Sequence, residues 1–303
     1  MTRTLVTGAT GFLGRALTAR LRQDGDQVIA LGSKDADLLD VRSLDRFLDQ
    51  PLDRIFHLAA WTQAGDFCLR HPGEQWINNQ LINTTALKFW AGHPDRPKLV
   101  SIGTSCVYEE GRKLVEDQYM EGHPIDSLYT YAMTKRMMLI GQRSLAKQFG
   151  LRHLTVVPST LYGPGYTLHG KQMHFIFDLA AKMLRSRDGG PGVVLWGDGH
   201  QRRELIYVDD FIDDMLYLTG NVDDEVVNIG AGTDHSIREF AGILANLIGI
   251  DADDFQYDTS KYTGAKSKSL DISKLRNLRP DLKRTELVDG LSRMVRYMKQ
   301  HLA

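Results

Sequence analysis

Cysteine is scarce in this chain, with only Cys68 and Cys106 among 303 residues. That scarcity speaks against a disulfide framework and leads to the expectation of a reducing, cytoplasmic setting. An excess of one charge is also missing, since 37 Lys and Arg stand against 38 Asp and Glu. Neither a nucleic-acid partner nor a membrane surface is therefore expected. No apolar run is long enough to span a bilayer, and Met1 leads straight into a strand-like run, so no leader peptide is expected. Internal repeats and low-complexity tracts are absent. The length suits one large or two modest domains.

What is present begins with Thr4-Leu5-Val6-Thr7, a short apolar, β-branched run of the kind that forms a buried parallel strand. It breaks into Gly8-Ala9-Thr10-Gly11-Phe12-Leu13-Gly14, and a helical pattern follows through Leu13, Leu17 and Leu21. Strand, glycine loop and helix stand in dinucleotide-binding order. Lacking a Cβ, the glycines permit a tight turn and close approach to a pyrophosphate. Their spacing is Gly-x-x-Gly-x-x-Gly, and the flanking strand and helix give it meaning.

A second apolar strand, Gln27 to Leu31, ends at Gly32-Ser33-Lys34. An acidic residue at this point would bind a ribose diol and favour NAD. Ser33 and Lys34 instead suit a 2′-phosphate, so NADP(H) is the expected cofactor, with NAD left open by the nearby Asp35. Asp37 and Leu38 fall where an adenine edge would be met. Ile55 to Ala60 reads as a further buried strand, and Leu58, Ala59 and Ala60 at its end suit a backbone passing close to the cofactor.

Strands and helices alternate to about residue 159: Leu99 to Ile102, a helix from Tyr129 to Phe149, then Leu154 to Val157, leading into Pro158. This is the rhythm of an α/β, doubly wound parallel sheet of the Rossmann kind. After Leu161-Tyr162-Gly163-Pro164 the rhythm loosens, although Val226 to Ile229 resembles another core strand. The expected division is a dinucleotide-binding domain over 1–163, rejoined by 204–232. A smaller, discontinuous substrate cap, polar and loop-rich, is expected over 164–203 and 233–303.

Tyr131 and Lys135 form a Tyr-x-x-x-Lys step within the expected helix, so their side chains share one face. An ammonium near a phenol favours the phenolate, which would let the tyrosine exchange protons nearer neutral pH. Taken with Gly8, Gly11, Gly14 and Thr104, this pair resembles the extended short-chain dehydrogenase/reductases that act on nucleotide sugars. The resemblance runs through Leu161 to Pro164 and through Arg203-Glu204-Leu205-Ile206-Tyr207-Val208-Asp209-Asp210. It implies that Tyr131 is the acid/base at the sugar C4 oxygen. It further implies that Lys135 lowers the phenol pKa and binds the nicotinamide ribose. Thr104, with Ser105 as the alternative, would hold the C4 oxygen.

The chain looks nearest to the branch that epimerises a GDP-4-ketosugar at C3 and C5 and then reduces it at C4. Thr104-Ser105-Cys106 is similar to that branch's Ser-Ser-Cys, and counting fourteen residues from Thr160 lands on His174. The resemblance makes Cys106 and His174 the epimerising pair, Ser105, Thr160, Arg203 and Lys268 substrate contacts, and a homodimer the expected assembly. No metal is implied. A ketone acidifies the hydrogens beside it, and thiolate and imidazole can exchange protons near neutrality. Thr160 stands where the branch carries asparagine, Ala9-Thr10 differs in the glycine loop, and Trp61-Thr62-Gln63 replaces a Gly-containing run. These departures leave the sugar and the base open. Two other readings stand beside this one: a 4-epimerase of the UDP-galactose type with bound NAD, and a catalytically silent NADP sensor.

Overall fold

The computed structural model describes residues 1–64, 67–170, 172–260 and 266–302. The chain runs β1 (Arg3–Thr7), α1 (Phe12–Gln23), β2 (Gln27–Leu31), β3 (Arg54–His57), α2 (Phe67–Arg70), α3 (Pro72–Gly92) and β4 (Lys98–Ile102). It continues through α4 (Tyr129–Phe149), β5 (His153–Pro158), β6 (Thr160–Tyr162), α5 (Phe175–Arg187), β7 (Val194–Trp196), β8 (Arg202–Arg203) and β9 (Leu205–Tyr207). The remainder is α6 (Val208–Asn221), β10 (Glu225–Ile229), β11 (His235–Ser236), α7 (Ile237–Ile248), β12 (Gln256–Asp258), β13 (Ser267–Lys268), α8 (Ser273–Leu278) and α9 (Leu287–His301). None of the helices among the described residues is long and apolar enough to cross a membrane.

The apolar runs expected to be strands pair into one parallel sheet, in the order β10-β5-β4-β3-β1-β2. Along β1, β3 and β4 neighbouring residues pack on opposite faces of the sheet, as the pleat requires. Leu5, Ile55 and Leu99 join Phe89 and Trp90 of α3. Val6, Phe56 and Val100 join Leu17 and Leu21 of α1 and Phe211 and Met215 of α6. The strand order reverses between β1 and β3. Ligands of open parallel sheets bind in that kind of crevice, beyond the strands' carboxyl ends.

A second core lies outside the sheet. Ile176, Phe177 and Leu184 of α5 pack with Phe240 and Leu244 of α7 and with Leu291, Met294 and Met298 of α9. The expectation of a polar, loop-rich region is corrected here. These helices are amphipathic, and their solvent faces lower the apolar density that a reader of sequence sees. Gly290 lies inside α9 because a Cβ there would stand 2.3 Å from the Tyr162 hydroxyl. Phe12 of α1 joins the two cores, with its ring edge-on to Tyr166 at 5.4 Å and to Phe177 at 6.0 Å.

Behind the crevice is a buried polar chain. The Thr7 hydroxyl meets His57 Nδ1 at 2.9 Å, and His57 Nε2 lies 3.4 Å from Asn83 Oδ1. Asn83 Nδ2 in turn donates to the Thr134 carbonyl at 3.1 Å, which ties β1 and β3 to α3 and α4. Burial, aided by the Lys135 charge, lowers the His57 pKa to about 4. The unfolded chain therefore takes up this proton first, and stability is lost as pH falls from the ordinary histidine value toward 4. In His57→Gln the fall in unfolding free energy between about pH 6.5 and about pH 5 should be shallower, by up to about 1.4 kcal/mol per pH unit. Denaturant titrations at both pH values measure it. Parallel slopes in mutant and wild type would mean that the ring is already charged in the fold.

Candidate active site

At the end of β1 the chain turns through Gly8 at φ +69°. A Cβ at Gly8 would lie 2.7 Å from the Ala59 nitrogen, and one at Gly14 would lie 2.2 Å from the Gly8 carbonyl oxygen. Larger residues would push β1, β3 and α1 apart. Gly11 caps α1 with no side-chain hydrogen bond, so the N-cap itself leaves the first N–H groups of the helix open. Such donors at a helix N-terminus suit a pyrophosphate. The Thr10 methyl would be 2.6 Å from a Cβ at Gly32, which explains the glycine that follows β2.

Ser33 and Lys34 are exposed beyond β2, whereas Asp35 Oδ2 accepts a hydrogen bond from the Gly32 nitrogen at 2.8 Å. The carboxylate that left NAD open is thus engaged by its own turn. Asp37 Oδ1 accepts from the Leu39 nitrogen at 3.1 Å, and the Thr85 hydroxyl holds the Leu38 carbonyl at 2.9 Å. Leu58, Ala59 and Ala60 are half-buried after β3, and Pro158 closes β5. The Ser159 hydroxyl beside it is buried and, among the described residues, has no hydrogen-bond partner. Uncapped donors, a cradle that a Cβ would fill and an orphaned hydroxyl together fit a dinucleotide.

Thr104 follows β4 in extended conformation and starts a short 3-10 turn over Ser105–Val107, its hydroxyl accepting from the Cys106 nitrogen at 3.3 Å. Tyr131 lies in the first turn of α4, and Lys135 one turn later brings Nζ to 5.8 Å from the Tyr131 ring centroid. Burial alone lowers the Lys135 pKa to about 8. Burial also raises the Tyr131 phenol, with Cys106, Cys68 and Tyr119 adding to the shift and a hydrogen bond with Thr104 opposing it. Desolvation disfavours both charged forms and sets the net direction of each shift.

Lys268 and Arg203 are register partners on parallel β13 and β8, and His235 of β11 faces Arg203 from the other side. Partners in register present their side chains to one face. Arg203 Nη1 donates to the Arg202 carbonyl at 2.7 Å. Lys268, expected to touch substrate, donates to Cys106 Sγ at 3.1 Å. Ser105 and Thr160 are half-buried, and the Thr160 nitrogen donates to the Glu204 carbonyl at 3.2 Å. His174 is the exposed N-cap of α5, its ring edge-on to Tyr166 at 6.2 Å and its nitrogen donating to the Tyr166 hydroxyl at 3.3 Å.

Three positioning residues escaped the reading of sequence. Glu204 is buried, its two oxygens accepting from the nitrogens of Gly232 and Leu270, each at 2.8 Å. Asn228, also buried, accepts from the Tyr108 hydroxyl at 2.6 Å and donates to the carbonyls of Leu114 at 2.9 Å and Asp271 at 3.0 Å. An acid just before the apolar run Leu205–Tyr207 and an amide inside the apolar strand β10 were the available signals. Cys68 is buried on α2, takes a hydrogen bond from Gln75 Nε2 at 3.1 Å, and stands near enough to Tyr131 to help raise its phenol. No local pattern announces that position.

Lys135→Met tests the electrostatics. A buried ammonium depressed to a pKa of about 8 destabilises the fold below that pH, and the penalty fades as pH rises toward the ordinary lysine value. The variant should melt no lower than wild type at pH 7, with any advantage shrinking from about pH 8 to about pH 10.5. Thermal unfolding across that range checks it, and an advantage that grows with pH would contradict the assignment.

Residues 4–230 match the NAD dependent epimerase/dehydratase family. The GDP-L-fucose synthase of Escherichia coli is 28% identical, over 91% of this chain and 90% of its own length. The GDP-L-colitose synthase of Yersinia pseudotuberculosis is 26% identical, over 97% of this chain and 96% of its own. In fold, a GDP-L-fucose synthetase of Naegleria fowleri bound to NADP superposes with a TM-score of 0.88 at 23% identity, covering 99% of this chain and 95% of that one. With its glycine loop at a parallel-sheet crevice and its match across most of its length, the chain belongs to the NAD dependent epimerase/dehydratase family.

Proposed function

We propose that the protein is a nucleotide-sugar oxidoreductase that reduces a GDP-linked 4-ketosugar at C4 with NADPH, after epimerisation at C3 and C5. The observation that carries this reading is a thiol, Cys106, set two residues beyond Thr104 and coupled to the Tyr131 phenol. A carbon-acid base thereby stands beside the proton donor for the carbonyl.

Gly8, Gly11 and Gly14 with the first turn of α1 would hold the pyrophosphate, Ser33 and Lys34 the 2′-phosphate, Asp37 and Leu38 the adenine, and Lys135 the nicotinamide ribose. NADPH, when bound, supplies hydride to C4. The remaining chemistry belongs to the chain. Tyr131 and Thr104 hydrogen-bond the C4 oxygen and stabilise an enolate formed by loss of a proton from C3 or C5. Cys106 and His174 serve opposite faces of the ring. A raised phenol pKa keeps Tyr131 protonated at neutral pH, the form that donates to the C4 oxygen as it becomes an alkoxide.

From Cys106, the row Lys268, Arg203 and His235 crosses three strands. Neighbouring strands lie about 4.8 Å apart, so the row spans about 10 Å, a length suited to a sugar diphosphate. Residues 1–163 with 204–232 form the dinucleotide-binding part in this reading, and 164–203 with 233–303 the cap. The exposed Trp76 and Ile77 of α3 and Met137 and Ile140 of α4 support a homodimer through the face of those packed helices. Two unpaired, buried cysteines support a cytoplasmic setting.

Tyr131→Phe should lower NADPH oxidation with the best GDP-4-ketosugar by about a hundred- to ten-thousand-fold and leave NADP affinity nearly unchanged. Absorbance of the reduced cofactor reads the first quantity, and calorimetric titration the second. Turnover at wild-type speed would remove Tyr131 from this role. In deuterated water the wild type should place deuterium at C3 and C5 of the product, whereas Cys106→Ser should not. A reduced product with neither position labelled would leave a plain C4 reductase.

Wild type should bind NADP more tightly than NAD, and Lys34→Ala should narrow the gap, as loss of one charge-assisted phosphate contact costs about 1.5–3 kcal/mol. Titration of both variants with both cofactors decides it. Equal affinities in the wild type would return attention to Asp35.

A further inference from the structure

Arg136 carries a guanidinium that none of the chemistry above uses. It is buried on α4, directly after Lys135 and five residues after Tyr131. With Ala132 and Leu139 it forms one buried face of the helix, at spacings of four and three residues. An apolar residue would fill that face, and a buried arginine is ordinarily met by a carboxylate. Among the described residues Arg136 forms no salt bridge, and its fork meets main-chain carbonyls instead. Nε donates to Tyr119 at 2.9 Å, Nη1 to Gly122 at 2.9 Å, and Nη2 to both Val107 at 2.7 Å and Glu121.

The four carbonyls belong to one stretch of chain. Val107 stands at its start, directly after Cys106 and three residues beyond Thr104, while Tyr119, Glu121 and Gly122 stand at its end. Between them the chain is largely irregular, with a 3-10 turn at Glu116–Gln118. A single side chain therefore pins both ends of the stretch to the helix that bears Tyr131. Tyr119 carries the constraint back to the strand end. Its ring is buried, and its hydroxyl would lie 2.9 Å from a Cβ at Gly103, the residue before Thr104. Thr104 in turn is hydrogen-bonded with the Tyr131 phenol. A closed loop results, from α4 through Arg136 and Tyr119 to Thr104 and back to α4. Only a planar fork with five N–H donors can serve carbonyls spread in this way, since a lysine offers three donors from one nitrogen.

We propose that Arg136 is a positioning residue: by clasping the 107–122 stretch it sets the separation of the Thr104 and Tyr131 hydroxyls, which must both reach one carbonyl oxygen. The inference rests on the oxidoreductase reading and goes beyond it by naming what holds its two hydrogen-bond donors in place. Two donors to one oxygen tolerate little error. Proton transfer needs contacts of about 2.6–3.2 Å, and a misplacement of about 1 Å can cost about a hundred-fold in rate. No proton or electron passes through Arg136.

Arg136→Lys tests this, because it keeps the charge and removes the fork. Its kcat with NADPH and the best GDP-4-ketosugar should fall about a hundred-fold, while KM for the sugar and affinity for NADPH stay within about two-fold of wild type. Tyr131→Phe should cost at least about ten-fold less in the Arg136→Lys background than alone, since a misplaced phenol has less to lose. Hydrogen exchange of the ligand-free protein, read by mass spectrometry, should be faster across 107–122. Leu139→Ala is the control: it thins the same helix face, so it should lower the melting temperature without moving kcat or the cost of Tyr131→Phe. A Leu139→Ala variant that loses kcat to the same extent counts against the proposal. Equal costs of Tyr131→Phe in both backgrounds, a raised KM at full kcat, or unchanged exchange over 107–122 overturn it. If Arg136→Lys does not fold, Gly122→Ala takes its place. Gly122 has φ +63° and its carbonyl is one end of the clasp, so a side chain there strains the same contact. Additive losses with Tyr131→Phe in that variant overturn the proposal equally. Faster exchange over 107–122 in a protein that turns over no GDP-4-ketosugar supports the clasp and sinks the oxidoreductase reading. Full turnover by wild type with additive losses in the variants does the reverse.

Discussion

Glu204 is the interaction on which the site depends. It is a buried carboxyl that forms no salt bridge among the described residues and is held by the main-chain nitrogens of Gly232 and Leu270. Burial raises its pKa, and these N–H groups work in the opposite direction. Leaving such donors unpaired would cost about 1–3 kcal/mol each, so the side chain fixes where three separate pieces of chain must meet. One carries Arg203, one follows β10, and one follows Lys268. The cationic row and the Cys106 contact both follow from that meeting. Asn228 on β10 repeats the arrangement, binding the carbonyls of Leu114 and Asp271.

Around Tyr131 the controlling effect is burial. In water a tyrosine and a lysine one turn apart would stabilise each other's charged forms. In this pocket the lysine drops toward a pKa of about 8, and the phenol rises. Both shifts favour the uncharged pair. A protonated phenol can give its proton to a developing alkoxide, and a lysine near neutrality can exchange one. His57 behind them stays neutral for the same reason and keeps its two hydrogen bonds. Loss of solvent thus prepares the groups for proton transfer and makes them dependent on the integrity of the core.

The two cores are joined where a ligand would cross them. Phe12 leaves the glycine loop and enters the aromatic cluster of Tyr166 and Phe177, which stack at 3.8 Å. Arg15, one turn further along α1, donates to the Gly165 carbonyl at 2.5 Å. The helix whose N-terminus suits the pyrophosphate is therefore also the one that carries the start of the second core, and His174 stands at the edge of that core. The glycine loop and the second core are mechanically linked through one helix.

Much of this could be read from the chain itself because it is local. β1, the glycine turn and α1 follow from neighbouring residues, and α4 runs from Tyr129 to Phe149 as its period demands. The parallel sheet follows from apolar runs spaced by helices. Helices α7 and α9 of the second core were misread as polar, although Ser236 and Glu239 form a capping box and Gly249 ends α7 in the left-handed conformation. Lys268 and Cys106 are 162 positions apart, and no periodicity links them. Their contact, the pairing of Lys268 with Arg203 and the upward shift of the buried Tyr131 phenol are products of packing. Sequence determined the backbone turns and helix faces, since these depend on sterics within a few residues. Tertiary structure decided which charges meet and which lose their water, because burial and long-range pairing exist only once the chain has closed on itself.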